Sequence, residues 1–140
     1  MTILYTAQYN VKHQNRLDIT VKGNDPKGSM FAPSWDMVNR FKKDSSYTKI
    51  KYITDYFSLL GKRSMDTGFR FRQASLRKED LIVLVCFCPP FEFCHRYLVV
   101  HHLLKKYPEE MQYHGELFSN GNIVSPTVRS LDTLLHHFLL

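Results

Sequence analysis

The sequence predicts an α/β fold: one layered domain with a small, mostly parallel sheet flanked by helices. Three observations predict it. Leu81–Phe87 is an unbroken apolar run, the pattern of a strand buried on both faces. Segments of period-two alternation stand before it, and segments with apolar residues at helical spacing lie on both sides of it. The resulting order of strand, helices, buried strand, helix and strand is that of crossover-linked parallel strands.

The elements follow in order. Thr2–Tyr9 is rich in β-branched and aromatic residues and reads as a first strand. Arg16–Val21 alternates strictly and reads as a second. Lys22–Gly28 carries Gly23, Asn24, Asp25, Pro26 and Gly28, a loop composition. Pro33 suits a helix start, and Met37, Val38 and Phe41 follow at helical spacing, giving a helix over Ser34–Lys42. A longer helix over Ser46–Gly61 places Tyr52, Ile53, Tyr56 and Leu60 on one face, with Gly61 as its cap. Lys62–Arg77 is either helix or exposed basic loop. Cys94–Tyr107 is a helix stopped by Pro108. Met111–Leu117 is a short strand before the turn Ser119–Asn122, and Thr127–Leu140 shows a terminal amphipathic stripe. Such a sheet is Rossmann-like, and ligands of such sheets bind beyond the carboxyl ends of the strands.

The 140 residues suit a single domain, 1–140, with a sizeable core. Met1–Asn10 lacks the basic start and apolar centre of a secretory signal. No apolar run approaches the roughly 20 residues of a membrane helix. A cytoplasmic protein with no membrane partner is expected. The net charge of +6 is uneven. Residues 40–78 hold eleven basic residues against Asp44, Asp55 and Asp66. Tyr47, Tyr52, Tyr56, Phe69 and Phe71 are interleaved there, as in a surface that tracks phosphates and stacks bases of DNA or RNA. The simpler reading is a solvated helical face above an apolar stripe.

All three cysteines fall within nine positions, in Cys86-Phe-Cys88-Pro-Pro-Phe-Glu-Phe-Cys94-His95-Arg96. This is where a strand passes through a loop into a helix, so thiols, an imidazole and a fixed cation meet free helix N–H groups. Such a start favours anions and lowers thiol pKa values. Three readings follow. Cys94 is a nucleophile, with His95 as acid–base partner and Arg96 holding an anionic substrate. Alternatively Cys86, Cys88, Cys94 and His95 bind zinc, for which an adjacent Cys-His pair is awkward in tetrahedral geometry and closer than the spacings of standard sites. Otherwise the cysteines, Cys88 among them, line a pocket whose grip on phosphate or carboxylate comes from Arg96 and His95. No metal or other cofactor is expected on balance, and zinc ranks last. Cys86 itself reads as a small core residue.

Other candidates lie nearby in the fold. Asp18, Thr20 and Lys22 share one strand face, and Asp18 would orient Arg96. Trp35 would stack a flat ring. Glu116, after Gly115, would be a second carboxylate for acid–base work or a ribose acceptor. His101, His102, His136 and His137 are adjacent pairs without the spacing of a chelate.

The pieces Leu17-Asp-Ile-Thr-Val-Lys22, Phe31-Ala-Pro-Ser-Trp-Asp-Met-Val38, Val85-Cys-Phe-Cys88, Phe93-Cys-His-Arg96 and Tyr113-His-Gly-Glu116 stand in one order. Together, over about residues 12–118, the chain resembles the family catalogued as domain of unknown function 488, met in bacteria, archaea and phages. The resemblance implies a compact α/β fold and brings no assigned chemistry. It points to Asp18, Thr20, Lys22, Trp35, Cys86, Cys88, Cys94, His95, Arg96 and Glu116. The chain carries Pro89-Pro90-Phe91 where relatives often have a glycine, and its tail beyond Phe118, with a helical extension over about 123–140, is an addition. The expected ligand is a nucleotide, a nucleotide-derived molecule or a nucleic-acid base. The expected protein is a small hydrolase or transferase with catalytic Cys94, His95 and Glu116. Arg96, Asp18, Thr20, Lys22, Trp35 and Cys88 would bind the ligand. The alternatives are a protein that sequesters or senses a nucleotide, a basic nucleic-acid module, and a protein that docks a host factor.

Overall fold

The computed structural model describes residues 1–125. The helix expected over 127–140 lies outside the described residues. Four parallel strands form the sheet: β1 (Thr2–Gln8), β2 (Arg16–Asp18), β3 (Leu81–Cys86) and β4 (Met111–Leu117). A short β5 (Ile123–Val124) closes one edge antiparallel to β4. The order is β2-β3-β1-β4-β5, with β1 in the centre. The α/β class and the mostly parallel sheet are as expected. All four parallel strands end at one edge of the sheet, where Asp18, Cys86 and Leu117 lie.

The helices are α1 (Trp35–Lys43), α2 (Lys49–Arg63), α3 (Thr67–Ser75) and α4 (His95–Lys106). Ser34, Thr48 and Asp66 each accept a backbone N–H of the first turn, from Met37, Lys51 and Phe69. Each cap fixes where its helix begins. The second helix therefore starts at Lys49 rather than Ser46, because Asp44 first holds a turn by accepting from Ser46 N and Oγ. Gly61 is inside α2 and not its cap; Ser64 ends the helix. The ambiguous Lys62–Arg77 segment is resolved into α3 and a 3-10 turn at Leu76–Lys78.

Leu4, Ile82, Leu84 and Cys86 on one sheet face share a core with Met37, Tyr52, Tyr56, Leu60, Phe69, Leu98 and Leu103 from the helices. The other face carries Ala7, Val83 and Val85 with Val11. β3 is thus buried on both faces, as its apolar run requires.

The second strand stops at Asp18, three residues short of Val21. Asp18 Oδ1 accepts from Thr20 N at 3.0 Å and Thr20 Oγ1 at 2.6 Å, and this side-chain turn replaces the ladder. The loop then folds back on Asp18. A Cβ at Gly28 would collide with the Asp18 carbonyl, so only glycine permits this approach. The turn lifts Thr20 and Lys22 off the sheet edge and exposes the Ile19 carbonyl to α4.

Candidate functional site

The loop from β3 to α4 is closed from behind by Arg96, in the first turn of α4. Its Nη1 donates to the Cys88 carbonyl at 2.9 Å, and its Nη2 donates to the Pro89 carbonyl at 3.1 Å. Nη2 also forms an ion pair with Glu116 Oε2 at 3.1 Å, and both side chains are 0% exposed. Glu116 Oε1 accepts from Thr6 Oγ1 at 2.6 Å and from Tyr97 OH at 2.8 Å. Thr6 has only one hydroxyl proton, so Tyr113 OH donates to Thr6 at 2.6 Å. A bulge in β4 makes this network possible. Leu4 pairs with Tyr113 but Tyr5 pairs with Gly115, so His114 is the extra residue. Tyr113 and Glu116, three apart, then face the same side. Gly115 takes φ of 127° at this bulge. Phe91 takes φ of 63°, in the left-handed region that favours glycine, and its N–H donates to Tyr97 OH.

Arg96 and Glu116 therefore serve the loop. Neither reaches the cleft, which corrects the expected roles of Arg96 as anion holder and Glu116 as acid–base group. The expected Asp18–Arg96 pairing is likewise replaced by Glu116–Arg96, because Asp18 is engaged in its own turn.

In front of this loop lies a cluster of sulfur and imidazole. Cys94 is the N-cap of α4 and its backbone is extended, with φ −158° and ψ 148°. Its side chain therefore does not diverge from that of His95 as two helical neighbours would. His95 Nδ1 is 3.8 Å from Cys94 Sγ and 3.7 Å from Cys86 Sγ. The three cysteine sulfurs lie within 4.8 Å of one another. His95 Nε2 is 2.6 Å from the Ile19 carbonyl, which can only accept. Nε2 thus carries the proton, and the Nδ1 lone pair points at the sulfurs.

Burial, opposed by the bond to Ile19, lowers the His95 pKa to about 4. The ring is neutral at pH 7. In the unfolded chain a histidine protonates below about pH 6.5. Between these values the unfolded state binds the extra proton, so stability is lost as pH falls through this window. Denaturant unfolding in chelator at pH 7 and pH 4.5 should show this loss, on the order of 2 kcal/mol from His95. A His95→Gln variant should show a flatter pH dependence; an unchanged slope would refute a neutral His95.

The thiols share their charge. Hydrogen bonds from Cys88, then Cys94, hold Cys86 below the ordinary thiol pKa, with Arg96 adding attraction. Burial, then the bonds to Cys86 and Cys88, pushes the Cys94 thiol well up. The hydrogen bond to Cys86 likewise raises Cys88. The cluster accordingly holds one thiolate readily and resists a second.

These groups form the floor of a cleft of about 480 Å³ beyond the carboxyl end of β3. Of the candidates named from sequence, Thr20, Lys22, Trp35, Cys88, Cys94 and His95 line it, while Asp18, Arg96 and Glu116 do not. Its walls include Pro33, Val38, Phe41, Tyr52 and Phe93, and Lys42 joins Lys22 in the lining. Trp35 is half exposed at 51%. Lys49 Nζ lies 5.9 Å from the Phe93 ring centroid, bringing a third cation near the lining.

A family model described as "Active DUF488-N3 subclade" matches residues 7–113. The chain belongs to the DUF488 family. The DUF488 match runs from the end of β1 to the middle of β4 and includes the three cysteines, His95 and Arg96; Glu116 lies beyond it. No curated protein and no solved structure matches the chain.

Within this DUF488 site, sequence reasoning set Cys86 aside as core. It is 5% exposed and yet lines the cleft, so it is both. The spacing of Cys86 and Cys88 on one strand face was the signal. Phe41, Phe93 and Lys42 were also missed, because nothing local distinguishes a wall residue from a core one. The basic stretch 40–78 has mostly exposed cations on α1 to α3. Tyr47, Tyr52, Tyr56 and Phe69 are buried there, however, and only Phe71 of the five aromatics is exposed. The interleaved aromatics are core residues and do not form a stacking surface. Arg63 is also engaged, donating to the Met30 and Ala32 carbonyls. Among the described residues no helix is long and apolar enough to cross a membrane.

Proposed function

We propose that this chain is a small enzyme that binds a nucleotide-type ligand in the cleft and acts on it at the sulfur–imidazole floor. One observation carries the reading: a thiol cluster beside a neutral imidazole lone pair forms the floor of an aromatic-walled cleft that also holds two lysines. The volume suits a small molecule. Trp35, Phe41 and Phe93 offer faces for a base. Lys22 and Lys42, with Lys49 nearby, take over the phosphate role expected of Arg96. The shared thiolate supplies a nucleophile, and His95 Nδ1 accepts or returns a proton. Cleavage or transfer at a glycosidic or phosphoester centre is the reaction class.

The burial of Cys86 and Cys94 favours one second reading, in which the chain binds the nucleotide without changing it. Incubation with a panel of nucleotides, followed by mass-spectrometric product analysis, separates the two. Turnover by the wild type is expected, with Cys86→Ser binding ligand but forming no product. Full turnover by Cys86→Ser would exclude the Cys86 thiolate as nucleophile. Saturable binding with no product at any protein concentration would establish the second reading.

A further inference from the structure

The same sulfur cluster has the shape of a metal site. A tetrahedral zinc ion, with Zn–S near 2.3 Å and Zn–N near 2.0 Å, needs about 3.8 Å between sulfurs and about 3.6 Å from sulfur to nitrogen. His95 Nδ1 stands 3.7 Å from Cys86 Sγ and 3.8 Å from Cys94 Sγ. The three sulfurs are within 4.8 Å of one another, so a contraction of about 1 Å or less brings them to that spacing. The extended N-cap backbone of Cys94 removes the objection to an adjacent Cys-His pair.

A second, independent feature agrees. Metal-bound histidines usually donate their other ring N–H to a carbonyl or carboxylate, which fixes the tautomer. His95 Nε2 makes this bond to the Ile19 carbonyl at 2.6 Å. The loop is also held in advance, with Arg96 fixing the Cys88 and Pro89 carbonyls. Cys88 is thereby positioned before any ion arrives. Thiolate-rich donor sets select soft or borderline ions such as zinc over magnesium or calcium.

We propose that Cys86, Cys88, Cys94 and His95 Nδ1 together bind one thiophilic metal ion of the zinc class. The ion takes the place of the thiol protons, which leave to solvent, and no electron is transferred. Once all three sulfurs are ligands, none is free to attack a molecule in the cleft. Metal loading is then the off state of the thiol chemistry. That regulatory half rests on the function proposed above; the metal site rests on donor geometry alone.

The test uses the full chain, reduced, treated with chelator and desalted, then titrated with cobalt(II). The expected result is one cobalt per chain, with sulfur-to-cobalt charge transfer and the strong visible bands of a tetrahedral ion. Zinc(II) should displace it and protect all three thiols from alkylation. Cys88→Ser, the least buried of the cysteine changes, should lower affinity beyond the roughly 10- to 100-fold typical of outer-shell changes. His95→Ala should do the same and alter the visible bands. Weak octahedral cobalt bands, or thiols alkylated equally fast with and without zinc, would overturn the site. Nucleotide binding is followed separately on the metal-free protein. Cobalt uptake without nucleotide binding sinks the ligand reading and keeps this site; the reverse sinks this site alone.

Discussion

Replacing Arg96 by alanine is expected to lower the unfolding free energy by about 3–5 kcal/mol, the cost of orphaning a buried ionic partner. Arg96 and Glu116 are 0% exposed and form an ion pair at 3.1 Å. Removing the guanidinium leaves the Glu116 carboxylate buried with only Thr6 and Tyr97 as donors. It also frees the Cys88 and Pro89 carbonyls, so the loop that carries the sulfurs loses its fixation. Glu116→Ala should cost a similar amount. The paired change Arg96→Met with Glu116→Leu should be milder than either single alanine, because apolar pairs often replace buried ion pairs without loss. Thermal melts followed by circular dichroism should show the single variants roughly 10–20 °C below wild type. A loss under about 1 kcal/mol would mean that the pair is solvated and that Arg96 is available to ligands.

The second large effect concerns charge on sulfur. At pH 6 the wild-type cluster is expected to hold one full thiolate, whereas an ordinary cysteine is under about 1% ionised there. The thiolate rests chiefly on S–H bonds donated to Cys86 by Cys88 and Cys94. Because the pKa is lowered, the charge should persist as pH falls through and below 8.5 and vanish only in strong acid. Replacing Cys88 and Cys94 by alanine removes both donors and should return Cys86 toward ordinary titration. Thiolate ultraviolet absorbance against pH, on metal-free protein, measures this directly. A single wild-type step near the ordinary thiol pKa would refute the shared charge.

Much of this fold was legible from local pattern. The apolar run of β3, Pro33 before α1 and Pro108 after α4 are short-range signals, and their elements came out within a few residues. Gly61 misled because a glycine near a helix end reads as a cap, while tertiary packing of Leu60 carries α2 one further turn. β2 was overextended because alternation cannot reveal that Asp18 captures Thr20. Most of the residues singled out from sequence line one cleft, but Asp18, Arg96 and Glu116 do not. Arg96, two residues after Cys94, looked like a ligand hand, yet its partner lies twenty residues on, across a bulge that no periodicity announces. Cys94 and His95 converge only because the helix begins one residue after Cys94.

Trp35 is the chain's sole tryptophan and lines the cleft, so its fluorescence reports on that cleft alone. The most direct test is a titration of the reduced, metal-free protein with nucleoside mono- and triphosphates, reading Trp35 emission. The account predicts saturable quenching by at least one nucleotide, weakened at least tenfold in Lys22→Ala. Unchanged emission across the whole panel, from a protein folded by circular dichroism, would contradict a nucleotide-binding cleft.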